Sequence, residues 1–334
     1  MTGQKIPTLK YNSERIARDL ASAVHPHTEQ PKALLLTYGC QMNFRDSEII
    51  AGQLEQLGYE LTTNEEEADL ILLNTCTVRE TASQRVFGKV GQLKRLKVKN
   101  PDLIIGICGC MAQEERTIRK VKQQLPHVDL VFGTHNLHRL PELIARVREE
   151  EGQVIDVWQD RQEVVEFLPS RRTSGVKAYV NIIYGCNKFC TYCIVPYVRG
   201  RERSREPEHI IREVQELLAA GYKEITLLGQ NVNSYGQDLE GDYNFGDLLY
   251  ELDQLPGEFW LRYTTSHPRD FDFRLVDIIA ASEHICEHYH LPVQAGNNEV
   301  LRRMNRGYTR EQYLDLVNYI RQHDPEASIT TDII

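Results

Sequence analysis

The first ~145 residues alternate short apolar runs with amphipathic stretches. "KALLLTYGC" (32–40) leads into "RDSEIIAGQLEQLG" (45–58), in which Ile50, Leu54 and Leu57 share a helix face and Gly58 stands where a C-terminal cap belongs. "ADLILLNTC" (68–76) leads into a helix pattern through Ala82, Val86, Val90 and Leu93. "DLIIGICGC" (102–110), a third helix, "VDLVFG" (128–133) and "LHRLPELIARVREEE" complete the series. Strands that are apolar throughout and alternate with helices predict an α/β fold, a doubly wound parallel sheet covered on both faces. After a polar stretch from about 146 to 177 a second series begins. Its strands are "KAYVNIIYGC", "EITLLGQN" (224–231), "FWLRYTTSHP" (259–268), "YHLPVQAG" (289–296) and "ASITTDII" (327–334). Helices over 207–221, "FGDLLYELDQL", "FRLVDIIAAS" and "TREQYLDLVNYIRQH" separate them. Five βα steps predict part of a parallel barrel, with its chemistry at the carboxyl ends of the strands. The pattern stops inside the fifth strand, so Ile334 reads as an interruption and not as a natural terminus. The expected division is a polar leader over 1–31, one domain over 32–150, a linker over 151–177 and a second domain over 178–334.

At 334 residues the chain can bury two cores. It holds no apolar run of about 18 residues and its start lacks the apolar segment of a secretory signal, which predicts a cytoplasmic location and no membrane. The net charge of −9 is unevenly spread: residues 1–205 carry 29 basic against 25 acidic residues, residues 206–334 carry 10 against 23. "RVFGKVGQLKRLKVK" (85–99) has six basic residues and no acid, and "RTIRKVK" (116–122) has four and none. Such runs could attract phosphates, but each reads first as a solvated helix face.

Eight cysteines without an export signal point to metal or redox chemistry more than to disulfides. Cys40, Cys76 and Cys110 each close an apolar strand, 36 and 34 residues apart, about one βαβ unit per step. Three strands therefore deliver one thiol each to the same edge of the sheet, where ligands gather in open α/β folds. Cys108 competes with Cys110; the later residue stands nearer the open end of its strand. Cys186, Cys190 and Cys193 follow the first barrel strand at C-x3-C-x2-C spacing. A four-iron cube offers four corners, and three thiolates leave one open for a substrate. Structural zinc normally asks for a fourth protein ligand, and only His209 follows within thirty residues. "SEHICEHYH" (282–290) reads as a polar surface segment with one buried cysteine, so Cys286, like Cys108, stays outside both sets.

The loop "GCNKFCTYC" resembles the radical S-adenosylmethionine (SAM) superfamily, whose C-x3-C-x-aromatic-C pattern is met by Cys186, Cys190, Tyr192 and Cys193. With "TYGCQMN" (37–43), "NTCTVRETA" (74–82), "GCMAQ" (109–113), "GCNKFCTYCIVPYVRGRERSR" (185–205) and "LPVQAGNNEVLRRMNRGYTREQY" (291–313), residues 32–334 are similar to the methylthiotransferases, and "YGCQMN" and "TCTVRE" to the MiaB type. The resemblance implies a methylthiotransferase domain followed by a partial radical SAM barrel. It implies one [4Fe-4S] cluster on Cys186, Cys190 and Cys193, with SAM on its open iron, and an auxiliary [4Fe-4S] cluster on Cys40, Cys76 and Cys110 that carries the sulfur. One SAM would methylate that sulfur and a second would yield the radical that takes hydrogen from C2 of N6-isopentenyladenosine beside the tRNA anticodon. It implies a tRNA partner, an electron donor such as flavodoxin or ferredoxin, and a sulfur source. It further implies a small C-terminal RNA-binding β-barrel that this chain lacks, so the chain alone is expected to bind tRNA poorly.

Other residues complete the expected site. Tyr192 would border the adenine of SAM. Gln230, Asn231, Ser266 and Gln294 stand at the ends of barrel strands and could hold SAM. Arg199, Arg201 and Arg205 follow the cysteine loop and could meet a phosphate, a carboxylate or a structural acid. Two alternatives stay open: a methylthiotransferase acting on threonylcarbamoyladenosine tRNA or a ribosomal protein, and a non-catalytic iron–sulfur or zinc RNA-binding protein.

Overall fold

The computed structural model describes residues 8–11, 30–78, 80–158 and 163–334. Most of the polar leader thus lies outside the described residues; within it β1 (Thr8–Lys10) pairs in parallel with a later strand. The first domain is built on β2 (Lys32–Tyr38), α1 (Gln41–Gln56), β3 (Glu60–Leu61), β4 (Leu70–Thr75), α2 (Glu80–Lys99), β5 (Ile104–Gly109), α3 (Glu115–Gln124), β6 (Leu130–Phe132), α4 (Leu140–Glu149) and β7 (Val154–Asp156). The six strands form one parallel sheet in the order β3-β2-β4-β5-β6-β7. Alternation along β4 and β5 explains why both faces are covered. Leu70, Leu72 and Ile104 pack with Ile50 and Leu54 of α1 and Leu143 of α4. Ile71, Leu73, Ile105 and Ile107 pack with Val86, Val90 and Leu93 of α2 and Val121 of α3. Strand order reverses between β2 and β4, so the ends of those two strands flank the crevice where a ligand is expected.

Two sequence readings change here. The stretch 151–177, expected as linker, supplies the edge strand β7, because Val154 and Ile155 suffice to extend the sheet although their surroundings are polar. It also supplies β8 (Val164–Glu166), the partner of β1. The basic faces of α2 are partly neutralised: Arg95 and Lys99 pair with Glu66, and Lys97 with Asp129 at 2.9 Å.

In the second domain β9 (Lys177–Asn181), β12 (Glu224–Leu228) and β13 (Trp260–Tyr263) form a parallel sheet in the order β13-β12-β9. β10 (Ile183–Tyr184) and β11 (Arg203–Ser204) make a short antiparallel pair that brackets the cysteine loop. β14 (His288–His290) pairs in parallel with β15 (Ser328–Thr330), and Ile285, three residues before β14, bridges to Leu261 of β13. The helices are α5 (Val195–Arg199), α6 (Pro207–Ala219), α7 (Phe245–Asp253), α8 (Phe273–Ala280), α9 (Asn298–Arg303) and α10 (Arg310–His323). The five predicted strand positions are occupied; α5 and α9 are additions, each too short to show a helical period. In "SEHICEHYH", His288 and His290 both meet the Thr330 hydroxyl, and His284 stacks on Phe259.

The domains join through α1. Its apolar face covers the sheet, and its polar face is buried too, against the second domain. Arg45 reaches Glu213 of α6 at 3.0 Å, and Arg172 bridges Glu48 of α1 (2.9 Å) and Glu213 (2.5 Å). Among the described residues no helix is long and apolar enough to cross a membrane.

Candidate active site at the facing strand ends

Cys76 and Cys110 follow β4 and β5 directly and Cys40 follows β2 after Gly39, and the loops that carry them are pinned together. Asn74 donates to the Asn43 carbonyl (2.8 Å) and to Ser47 Oγ (2.9 Å), while Asn43 donates back to Asn74 Oδ1 at 3.2 Å. Thr75 Oγ1 donates to the Cys108 carbonyl at 2.7 Å. A Cβ on Gly39 would lie 2.7 Å from Cys76 Cβ, so the first two loops touch. Cys40 occupies the N-cap position of α1. Cys108 sits wholly inside the core against α4's side of the sheet, which leaves Cys110 as the thiol at the edge. Gly109 at φ +88° makes the turn between them; an added Cβ would stand 2.4 Å from Asn74 Oδ1 and 2.7 Å from the Thr75 carbonyl. Gly109→Ala is therefore expected to lower stability by about 1–3 kcal/mol and to reduce iron and sulfide uptake at this set. Thermal unfolding and metal analysis check both.

The second set lies in the loop between β10 and α5. Cys186 and Cys190 are buried and Cys193 is half-buried. Burial, the first cause, pushes the Cys186 thiol up to about 12 and the Cys110 thiol up to about 11, and the neighbouring cysteines of each set add to this. Thiols so placed bind metal by losing protons on loading. Arg306, 4% exposed, donates from Nη1 to Cys190 Sγ (3.3 Å) and to the Tyr192 hydroxyl (3.4 Å), and from Nη2 to the Pro292 carbonyl (2.8 Å). Nothing in the local sequence around Arg306 marks it as a cysteine partner. Its partner Cys190 is 116 positions away.

The expected SAM contacts divide. Tyr192 is 45% exposed beside Arg306. Gln230 accepts from the Gly185 amide at 2.6 Å and so holds the start of the cysteine loop. Asn231 is turned inward, donating to Ser234 (2.6 Å) and Asp270 (2.7 Å) and accepting from the His267 amide (3.1 Å). Gln294 carries φ +69° and bridges to Ile333 by backbone. Ser266 is buried and its hydroxyl meets no partner among the described residues. The same holds for Asn233's side-chain amide, one oxygen of Glu202 and His267 Nε2. Burial first, then Arg306, pushes His267 down to about 3, so its ring is neutral. Its Nδ1 accepts from the Arg269 amide, which leaves Nε2 as an N–H donor without a partner. Lys188, in the cysteine loop, pairs with Asp270 at 2.6 Å. Buried polar groups lacking partners next to such a network suit a polar, charged ligand.

The three arginines also divide. Arg205 gives Nε and Nη2 to Glu166 and Nη1 to the Asn181 carbonyl and Glu213, so it serves structural acids. Arg201 is exposed, 5.5 Å over the Phe189 ring. Arg199 crosses to the first domain, donating from Nε to Cys110 Sγ at 3.1 Å and pairing with Asp46 at 2.7 Å. Thr134 Oγ1 donates to the Val198 carbonyl at 2.9 Å, seating α5 against the end of the first sheet. Beside this contact opens a cleft of about 570 Å³ lined by Gln113, Arg116, Phe189, Tyr197 and Arg201 among others. The two cysteine sets thus stand on facing strand ends with α5 between them. Six soft donors in two sets of three fit iron–sulfur clusters. A cube spreads its corner irons apart, so its thiols need not converge on one point. Among the described residues no three His, Cys, Asp or Glu converge tightly enough for a single metal ion.

Residues 180–334 match the radical SAM superfamily and residues 32–133 an uncharacterized protein family, UPF0004. Among solved structures, the cobalamin-dependent SAM radical enzyme OxsB covers 92% of this chain and 49% of its own, with a TM-score of 0.63 at 14% identity. The radical SAM methyltransferase TsrM from Kitasatospora setae covers 91% and 67% with a TM-score of 0.63 at 16% identity. These share the fold: an α/β domain followed by a radical SAM barrel. The tRNA-2-methylthio-N(6)-dimethylallyladenosine synthase of Desulforamulus reducens is 56% identical over 301 residues, 90% of this chain and 66% of the relative. That of Pelotomaculum thermopropionicum is 56% identical over 304 residues, 91% and 68% respectively. The chain spans about two thirds of the length of these curated relatives. Identity at this level, across both cysteine sets, shows that the chain belongs to the family of the tRNA-2-methylthio-N(6)-dimethylallyladenosine synthases, which are radical SAM methylthiotransferases.

Proposed function

We propose that the protein methylthiolates C2 of N6-isopentenyladenosine next to the anticodon of tRNA. Cys186, Cys190 and Cys193 would hold a [4Fe-4S] cluster with SAM on its open iron, and Cys40, Cys76 and Cys110 an auxiliary [4Fe-4S] cluster that presents the sulfur. The single observation that carries this reading is the juxtaposition of two three-cysteine sets on facing strand ends, joined by Arg199. When bound, the clusters and SAM supply the radical chemistry that an inert C2–H bond requires. The chain's own residues position and insulate. Arg306 fixes Cys190 and the Tyr192 ring relative to each other. Gln230 and the Lys188–Asp270 pair fix the cysteine loop against β12 and β13. His267, Ser266, Asn233 and Glu202 offer buried donors and acceptors to SAM. Arg201 and Tyr197, exposed in the cleft, offer a cation and a ring to the substrate nucleotide. A low-potential electron donor such as flavodoxin or ferredoxin and a separate sulfur source complete the reaction, which we place in the cytoplasm.

Nucleoside mass spectrometry of tRNA from cells with and without the protein tests this. Loss of the 2-methylthio nucleoside with accumulation of N6-isopentenyladenosine is expected on deletion. An unchanged nucleoside profile overturns the substrate assignment.

A further inference from the structure

We propose that Arg199 is a positioning residue that sets the reduction potential of the group held by Cys40, Cys76 and Cys110, its cation delivered from the other domain. The inference rests on the auxiliary-cluster assignment above. Arg199 lies six residues after Cys193 at the end of α5, so the loop that carries one cysteine set also supplies the cation of the other. Its side chain is 5% exposed and that of Asp46 2%. Nε donates to Cys110 Sγ at 3.1 Å, and Nη2 meets Asp46 at 2.7 Å. One buried guanidinium thus spans the Asp46 carboxylate of α1 and the Cys110 sulfur that follows β5. Its backbone is held from both sides: Thr134 grips the Val198 carbonyl, and Arg203 Nη2 donates to the Arg199 carbonyl at 2.9 Å.

Three thiolates, those of Cys76 and Cys110 buried and that of Cys40 exposed, and the buried Asp46 carboxylate make a strongly negative site, to which adding an electron is unfavourable. A hydrogen bond to a ligand sulfur and a nearby positive charge both stabilise the reduced state and raise the potential. Asp46 acts in the opposite sense. The two residues of one ion pair therefore have opposite expected effects, which a simple clasp between domains does not. Breaking a clasp from either side loosens the same contact and moves the potential the same way or leaves it unmoved.

The test uses the chain carrying Cys186→Ala, Cys190→Ala and Cys193→Ala, loaded anaerobically with iron and sulfide so that only the first set reports, in redox titrations followed by electron paramagnetic resonance. Arg199→Gln is expected to lower the reduced-to-oxidised ratio at fixed potential at least tenfold, a shift of about 59 mV for a one-electron couple. Asp46→Asn is expected to shift it upward, and Arg199→Lys to recover part of the Arg199→Gln loss. Shifts of the same sign in Arg199→Gln and Asp46→Asn, or none in either at parental iron content, overturn the inference. Should Arg199→Gln not fold, the sign of the Asp46→Asn shift decides alone. A parent that takes up no iron and sulfide at this set overturns the auxiliary-cluster assignment instead.

Discussion

In protein loaded with iron and sulfide, Cys190→Ala is expected to abolish reductive cleavage of SAM, whereas Cys76→Ala leaves cleavage near its parental rate and stops methylthiolation. The two cysteines are both buried, so a purely structural role would make the variants alike. The difference is in what each anchors. Cys190 stands in the β10–α5 loop, its sulfur held by Arg306, which also holds Tyr192. On the proposed assignment, removing that thiol takes away one of the three protein ligands of the SAM-binding cluster. Cys76 follows β4 in the other domain, against the Cys40 loop, and its sulfur accepts from the Val78 amide at 3.4 Å. On the proposed assignment, its loss disables the sulfur-presenting cluster and leaves the other intact. Deoxyadenosine release measured by chromatography, beside mass spectrometry of the tRNA product, reads the two steps separately. Methylthiolated tRNA from Cys76→Ala would refute the auxiliary assignment, and SAM cleavage by Cys190→Ala would refute the other.

The spacing of Cys40, Cys76 and Cys110 carried most of the site, because a βαβ repeat converts a sequence interval of 36 or 34 residues into adjacency at one sheet edge. What periodicity could not carry is pairing between domains. Asp46 and Glu48 sit on the polar side of an amphipathic helix, which reads as solvated; they are buried because the barrel packs on that side. Arg199 and Arg205 look alike in "RGRERSR", yet one turns to Cys110 and the other to Glu166 and Glu213. Asn231 at a strand end reads as a ligand contact, and the fold uses it to tie β12's loop to Asp270. Short strands such as β7 were hidden because three residues give no period. Local pattern thus located the edges, and only the packing of α1 between the domains showed which polar residues the edges leave for chemistry.

Glu213→Gln is expected to destabilise the junction of the two domains by about 3 kcal/mol, the cost of removing one partner from a buried ionic network. Glu213 on α6 receives Arg45 at 3.0 Å, Arg172 at 2.5 Å and Arg205 at 2.7 Å, and Arg45 and Arg172 also reach the Glu48 carboxylate of α1. A neutral amide there leaves three guanidiniums with too little negative charge in a site whose acid is only 17% exposed. The pH dependence distinguishes this from lost packing. Burial pushes the Glu213 carboxyl up, but Arg205, Arg45 and Arg172 outweigh it and hold the group down at about 2, from an ordinary 4.5. A depressed carboxyl contributes its full stability above about 4.5 and loses it as pH falls through about 2. Denaturant midpoints of parent and Glu213→Gln should therefore be well separated at pH 7 and converge as pH falls from about 4.5 toward 2. A gap that stays constant over that window would show that Glu213 acts by shape and not by charge. No gap at pH 7 would show that the arginines find other acids, and the ionic bridge between α1 and α6 would then contribute nothing to holding the two strand ends face to face.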